Sequence, residues 1–142
     1  MKIAIASDHG GFNLKNHICN YLKTKNIDFV DFGTNSTDSC DYPYFAKKVA
    51  NAVLSKEFDK GILICGTGIG MQICANRFKG IRAACVENTY SARLTREHND
   101  SNILTLGERV LGTGLALEIL EVWLNTEFQG ERHLKRINMI DE

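Results

Sequence analysis

The chain has 142 residues, and its 17 lysines and arginines are balanced by 17 aspartates and glutamates. This length predicts one domain with a sizeable core, and the lack of net charge argues against a nucleic-acid partner or binding to an anionic membrane surface. No apolar run approaches the roughly 20 residues of a membrane-spanning helix, and Met1 and Lys2 lead into a predicted strand rather than a signal peptide.

Strand and helix patterns alternate along the chain, as they do around a parallel sheet. Short apolar runs predict five strands: Ile3–Ala6, Phe29–Phe32, Ile62–Ile64, Ala83–Val86 and Ile103–Leu106. Apolar residues at helical spacing predict a helix after each strand, with stripes that include Leu14, Phe45, Ile73, Tyr90 and Leu115. The tail, at about residues 130–142, is expected to add one more helix. Residues 1–142 are thus predicted to form a single three-layer α/β domain, a doubly wound five-stranded parallel sheet of flavodoxin-like or Rossmann-like type.

The third predicted strand ends in Cys65, and glycines follow at positions Gly66, Gly68 and Gly70. Glycine lets the backbone approach a ligand closely. If a helix begins near Gly70, the N–H groups of the loop and the helix dipole form a cradle for an anion, and the same field favours the thiolate form of Cys65. The spacing fits neither a dinucleotide-binding motif nor a P-loop. The segment indicates a phosphate or oxyanion site, and plain packing of a buried cysteine is the alternative.

Two further polar groups lie beside predicted strands. Asp8 and His9 follow the first strand, where ligands of doubly wound sheets bind, although an N-cap aspartate with an incidental histidine is the alternative. His98 and Asn99 precede the fifth strand in a polar turn, and a structural or solvated histidine is the commoner explanation there. Either histidine is therefore a candidate catalytic or binding group.

Three arginines are candidate phosphate ligands. Arg132 and Arg136 are spaced i and i+4, so a helix would project both from one face, where they could clamp a phosphate. A solvated basic face is the alternative. Arg109, after the fifth strand, could supply further positive charge.

The five cysteines are odd in number and contain no C-x-x-C pair. This pattern argues against both a disulfide framework and a zinc ribbon, and it favours a reduced, cytoplasmic protein. A metal site built from Asp8, His9, Cys65 and His98 lacks any supporting ligand spacing. We therefore expect no metal and no other cofactor.

The order of these motifs resembles that of the type B ribose-5-phosphate isomerases, a family that includes the galactose-6-phosphate isomerase subunits. The resemblance runs from Lys2 to about Ile137. The motifs that carry it are Asp8-His9-Gly10-Gly11, Asp41-Tyr42-Pro43, Ile64-Cys65-Gly66-Thr67-Gly68-Ile69-Gly70, Ala75-Asn76, Gly80-Ile81-Arg82-Ala83, His98-Asn99-Asp100, Gly107-Glu108-Arg109-Val110 and Arg132-His133 with Arg136.

The resemblance implies an aldose–ketose isomerase of the pentose phosphate pathway that interconverts ribose 5-phosphate and ribulose 5-phosphate. Cys65 matches the base that moves a proton between C1 and C2, and His98 matches the residue that helps to open the sugar ring, with Asp8 nearby. Met71 stands where a cysteine-lacking subgroup has a glutamate base, which places the chain in the cysteine subgroup. The implied substrate-binding residues are the loop donors Gly66, Thr67, Gly68, Ile69 and Gly70, the phosphate ligands His9, Arg109, Arg132 and Arg136, and the sugar contacts Tyr42 and Asn99.

The resemblance also implies a homodimer, or a dimer of dimers, whose active sites take residues from both subunits. The partner is then a small sugar phosphate, with no role for nucleic acid or membrane. Two alternatives stay open. The substrate could be a six-carbon sugar phosphate such as allose 6-phosphate or galactose 6-phosphate, or the chain could be a non-catalytic phosphate- or nucleotide-binding module on the same fold. The joint presence of Cys65, His98 and Asp8 argues against a pure binding module.

Overall fold

Five parallel strands form the central sheet of the computed structural model, which describes all 142 residues. The strands are β1 (Lys2–Ser7), β2 (Asp28–Asp31), β3 (Lys60–Cys65), β4 (Ala83–Cys85) and β5 (Ile103–Gly107). Each lies within two residues of its predicted bounds. The central strands β1, β3 and β5 are buried on both faces, which explains why their sequences are continuously apolar rather than alternating.

Six helices connect or follow the strands. They are α1 (Phe12–Thr24), α2 (Tyr42–Leu54), α3 (Ile69–Ala75), α4 (Thr89–Asn99), α5 (Thr113–Asn125) and α6 (Arg132–Asn138). Local chemistry sets several of their ends: Pro43 lies in the first turn of α2, and the Asn88 side chain accepts a 2.8 Å hydrogen bond from the Ser91 N–H to cap α4. None of the helices combines the length and the apolar character that a membrane crossing requires.

The helices cover both faces of the sheet and enclose two cores. Helices α1, α4 and α5 pack on one face, where the core includes Ile62 and Trp123, while α2 and α3 pack on the other, where it includes Val49 and Leu63. The predicted three-layer, doubly wound architecture is confirmed. The strand order is β2-β1-β3-β5-β4, so β5 lies between β3 and β4, whereas the flavodoxin-like order places the fourth strand beside the third.

The strand order reverses between β1 and β3. From β1 the chain continues to β2 on one side, and β3 pairs with β1 on the other, with Ser7 opposite Ile64. Strand β5 then pairs with β3 so that Gly107 lies opposite Cys65. The carboxyl ends of β1, β3 and β5 therefore meet at one edge of the sheet, at the switch point where doubly wound proteins bind ligands.

Candidate active site

Cys65 ends β3 with its side chain almost completely buried, and a loop donor faces its sulfur. The backbone N–H of Gly68 donates a hydrogen bond to Cys65 Sγ at 3.1 Å. Gly68 has a φ of +80°, and a Cβ there would lie 2.9 Å from the Leu106 carbonyl carbon, so only glycine fits this turn. Helix α3 begins at Ile69, as the sequence had indicated for the region near Gly70. An N–H directed at sulfur stabilises negative charge there.

Asp8 follows β1 and lies on the strand next to Cys65. Its Oδ1 accepts a hydrogen bond from the Gly10 N–H at 2.9 Å, so the capping role named as the alternative is present. Glycine is required in the turn that follows, because a Cβ on Gly11 would lie 2.6 Å from Ile64. The Asp8 turn therefore packs directly on β3 beside the Cys65 loop.

His9 is held in one tautomer by the backbone of a neighbouring loop. The Cys40 N–H donates a hydrogen bond to His9 Nδ1 at 3.2 Å. With Nδ1 as the acceptor, the ring proton lies on Nε2 and the second nitrogen can donate to an anion. The loop itself is anchored by Lys15, which is 1% exposed and whose Nζ contacts Asp31 Oδ2 at 2.5 Å and the Thr34 carbonyl at 2.8 Å.

Arg109 lies over the glycine loop. Its N–H donates to the Gly66 carbonyl at 3.0 Å, and a Cβ on Gly66 would lie 3.3 Å from the Arg109 guanidinium. The Glu108 N–H makes the matching bond to the Cys65 carbonyl, also at 3.0 Å. Arg109 is exposed and forms no ion pair, so it presents an uncompensated positive charge beside Cys65.

Tyr42, Thr67 and Ile69 form the rim of this loop. A Cβ on Gly70 would lie 3.1 Å from the Tyr42 ring, which begins α2 and is 39% exposed. Thr67 and Ile69 are both exposed, and the Ile69 N–H donates to Thr67 Oγ1 at 3.3 Å. The structure thus brings together a first group of predicted residues, which we call the Cys65 group: Asp8, His9, Tyr42, Cys65, Gly66, Thr67, Gly68, Ile69, Gly70 and Arg109.

The remaining predicted residues form a second group, which we call the His98 group. It consists of His98, Asn99, Arg132 and Arg136, around His133. The rings of His98 and His133 stack with their centroids 4.3 Å apart and their planes 13° from parallel. Burial, followed by the charges of His98, Arg132 and Arg136, lowers the pKa of His133. Arg132 and Arg136 are both exposed on α6, one turn apart.

The two groups lie at opposite edges of the sheet within one chain. Asn99 ends α4, and its carbonyl accepts a 2.9 Å hydrogen bond from Arg82 Nε, just before β4 begins. Cys65 lies at the other end of the strands, opposite Gly107, and β5 alone spans about 13 Å between the edges. A single chain therefore does not bring His98 to Cys65.

The Cys65 group does not line a cavity in a single chain. The three cavities of the molecule are lined by other residues, and the largest, of about 420 Å³, lies beside β4 with Asn76 and Asn99 in its wall. No cluster of three or more His, Cys, Asp or Glu side chains is arranged to hold a metal ion.

Sequence reasoning gave no role to three residues that organise these groups. Glu108 Oε2 accepts a hydrogen bond from the Leu14 N–H at 2.9 Å, Lys15 anchors the loop before α2, and His133 stacks on His98. The available signals were a charged residue directly before Arg109 and a lysine among the apolar positions of α1. Neither signal names a contact partner, because the partners are distant in sequence.

Comparisons with known proteins identify the family to which the chain belongs. The family described as Ribose/Galactose Isomerase matches residues 3–140. The chain is 48% identical to ribose-5-phosphate isomerase B of Escherichia coli, over 98% of this chain and 93% of that protein, and 40% identical to D-erythrulose-4-phosphate isomerase of Pectobacterium atrosepticum, over 99% and 93%.

A solved structure of ribose-5-phosphate isomerase B from Clostridium thermocellum superposes with a TM-score of 0.98 at 57% identity, covering 99% of this chain and 95% of that one. The sequence and the fold therefore both match over nearly the whole chain. By both measures, the chain belongs to the ribose/galactose isomerase family, whose members are enzymes.

Proposed function

We propose that the chain interconverts ribose 5-phosphate and ribulose 5-phosphate through an enediolate, with Cys65 as the base. The observation that carries the proposal is the hydrogen bond from the Gly68 N–H to Cys65 Sγ, in a glycine loop at the switch point and beside an unpaired Arg109. The names of the Escherichia coli and Clostridium thermocellum relatives support the five-carbon substrate.

The chemistry needs a base near C1 and C2 of the open-chain sugar. The Cys65 thiolate takes the proton from C2 of the aldose, the electrons of that bond form the C1–C2 double bond, and negative charge develops on the oxygens. The thiol then returns the proton to C1 while the hydroxyl proton passes from O2 to O1, so that C2 becomes the carbonyl carbon of the ketose. Proton transfer by a positioned group contributes about 10²–10⁴-fold, and one well-placed loop donor to the developing oxyanion adds on the order of 3 kcal/mol.

The remote phosphate holds the sugar in place for this transfer. Two residues of the Cys65 group are the proposed phosphate ligands: His9, whose Nε2–H is free to donate, and Arg109. Binding energy from this non-reacting part of the substrate fixes C1 and C2 beside the sulfur. Tyr42 at the rim is placed to contact the sugar.

Within one chain, the His98 group lies at the opposite end of the strands from the Cys65 group. We therefore include in the proposal a homodimer, or a dimer of dimers, in which His98 of one subunit opens the sugar ring at the Cys65 site of the other. Asp8 lies next to Cys65 and shares in that step, while Asn99, Arg132 and Arg136 arrive with His98 to bind the sugar and the phosphate. A two-fold operator would build two such sites at once. Ile69 of the Cys65 group and Ile73, one turn further along α3, are both exposed, which supports a surface that a partner covers there.

A four-carbon sugar phosphate is the second candidate substrate, because the Pectobacterium atrosepticum relative is named for D-erythrulose 4-phosphate. The six-carbon phosphates considered from the sequence require the same proton transfer. These substrates differ in the length of the sugar between the phosphate and C1. In the proposed dimer, the length that the site accepts is set by the position of the second copy's arginines.

The test is an assay of ketose formation from ribose 5-phosphate by purified protein without added metal or nucleotide. Tetrose, allose and galactose phosphates are supplied in parallel and in competition. The proposal expects the highest kcat/KM with ribose 5-phosphate. Faster turnover of a four- or six-carbon phosphate would change the substrate, and no turnover of any of them would leave a phosphate-binding module as the better interpretation.

A further inference from the structure

A strongly polar cavity of about 400 Å³ lies at the amino edge of the sheet, at the opposite end of the strands from Cys65. It opens between the start of β3 and the segment that precedes β5. Its wall carries four basic and two acidic side chains: Lys56, Lys60, Arg82, Arg96, Asp59 and Asp100. The proposed isomerase chemistry uses none of these side chains.

Both carboxylates of the cavity already have partners. Asp100 accepts hydrogen bonds from Arg82 at 3.1 Å and from Arg96 at 2.8 Å, so one carboxylate serves two guanidinium groups. Asp59 Oδ2 accepts a 2.6 Å hydrogen bond from the backbone N–H of Lys2. The ammonium group of Lys60, by contrast, makes no hydrogen bond or ion pair in the chain. The cavity therefore holds more positive charge than its own acids neutralise.

Lys60 shares an aromatic surface with a second cation. Its Nζ lies 4.7 Å from the centroid of the buried Trp123 ring, and the Arg96 guanidinium carbon lies 5.9 Å from the same centroid. Burial, followed by the charge of Arg96, lowers the pKa of Lys60 to about 8. The charges of Asp100 and Asp59 oppose this lowering without cancelling it, so a bound anion would further favour the charged form of Lys60.

The Arg96 side chain is fixed as one wall of this cavity. It donates to the Ser101 carbonyl at 2.6 Å and to the Thr126 carbonyl at 3.2 Å, and Ser101 Oγ in turn accepts from Trp123 Nε1 at 2.8 Å. A guanidinium held in place on one side and a free ammonium on the other are the donors that bind phosphate oxygens in proteins.

We propose that this cavity, whose lining includes none of the proposed active-site residues, is a second anion site that binds a phosphate group beside Lys60 with Lys56 and Arg96 contributing positive charge. The volume exceeds that of inorganic phosphate and lies in the range of small-molecule sites, so a small phosphate ester also fits. The site recognises the phosphate, and the remainder of the ligand extends toward the cavity mouth.

The experiment follows the Lys60 side-chain amine by NMR in ¹⁵N-labelled protein across a pH titration. Inorganic phosphate is added in one series, glycerol 3-phosphate in a second and sodium chloride in a third, all at a matched ionic strength of about 0.15 M. Because a bound dianion favours the ammonium form, the proposal expects phosphate to raise the pKa of Lys60 from about 8 by about one pH unit. A larger rise with glycerol 3-phosphate identifies an ester as the better ligand, and an equal rise identifies the phosphate group alone.

Two variants make the result specific to the cavity. Lys56→Met removes one positive charge from the wall. It is expected to weaken phosphate binding, followed through the Lys60 titration, about threefold to tenfold. Lys47→Met removes another exposed positive charge, on α2 and outside the cavity, and should leave the effect unchanged. A Lys60 titration that is the same in phosphate and in chloride overturns the proposal, as does an equal response in both variants. Neither readout depends on isomerase activity, so the site stands or falls separately from the proposed reaction.

Discussion

The carboxylate of Glu108 accepts a hydrogen bond from the backbone N–H of Leu14 at 2.9 Å, joining residues 94 positions apart. The same carboxylate accepts a second hydrogen bond from Asn13 Nδ2 at 3.2 Å. Glu108 therefore caps the first turn of α1 while its own backbone holds the Cys65 carbonyl. Through this one residue, the start of α1, the Cys65 loop and the segment that carries Arg109 are held together.

Replacing Glu108 with alanine should both destabilise the protein and weaken substrate binding. Loss of a charged cap at a helix start costs about 1–2 kcal/mol. Because the loop that carries Arg109 also loses its anchor, KM for the sugar phosphate is expected to rise several-fold with a smaller change in kcat. Thermal unfolding and steady-state kinetics measure the two effects.

Glu108→Gln and Glu118→Ala are the matched variants for this prediction. The glutamine keeps an oxygen that can accept from the Leu14 N–H, so its KM should return most of the way to the wild-type value. Glu118 is exposed on α5 and its change should affect neither quantity. An alanine variant that loses stability but keeps its KM would limit Glu108 to helix capping.

The strands and the residues of the Cys65 group were predictable from the sequence because both depend on local signals. A continuous apolar run predicts a doubly buried strand, and residues that directly follow such strands gather at the carboxyl edge, as Asp8, Cys65 and Arg109 do. Glu108 was not predictable as a cap, because its partner Leu14 belongs to another segment. The exchange of β4 and β5 in the sheet order has no local signal either.

The place of His98 shows a different limit of sequence reasoning. His98 lies in the last turn of α4, which must return the chain to the amino edge before β5 begins, so a single chain places it far from Cys65. Its likeness to a family motif names a role but no location. The role and the location are compatible only if a second chain completes the site.

Cys65→Ala should remove most of the activity and leave the fold intact. The variant loses a single sulfur atom at the end of β3, and with it the proposed base. We expect kcat to fall by at least about 100-fold, since a positioned proton-transfer group contributes 10²–10⁴-fold. Cys74→Ala, which changes a partly buried cysteine on α3, is the control and should retain its activity. A Cys65→Ala variant with near wild-type kcat would exclude Cys65 as the base.

A shared active site predicts complementation between two inactive variants. A Cys65→Ala chain and a His98→Asn chain, coexpressed with different tags and purified as the mixed dimer, combine one intact site with one doubly altered site. Such a dimer should recover about half of the wild-type activity. The control pair joins Cys65→Ala to Asp8→Asn. Both residues belong to the Cys65 group, so this mixed dimer should stay inactive. Equal inactivity of both mixed dimers would show that each site is built from one chain.

The stacked pair of His98 and His133 predicts a loss of stability in mild acid. Because burial lowers the pKa of His133 below its ordinary value of 6.5, the unfolded chain binds this proton at a higher pH than the folded chain. Stability is therefore full above pH 6.5 and falls as pH drops below it. His133→Phe keeps an aromatic ring and removes a buried Nε2 that has no partner, so chemical denaturation should show a flatter pH dependence. The exposed His17→Phe should keep the wild-type slope, and an unchanged slope in His133→Phe would contradict the prediction.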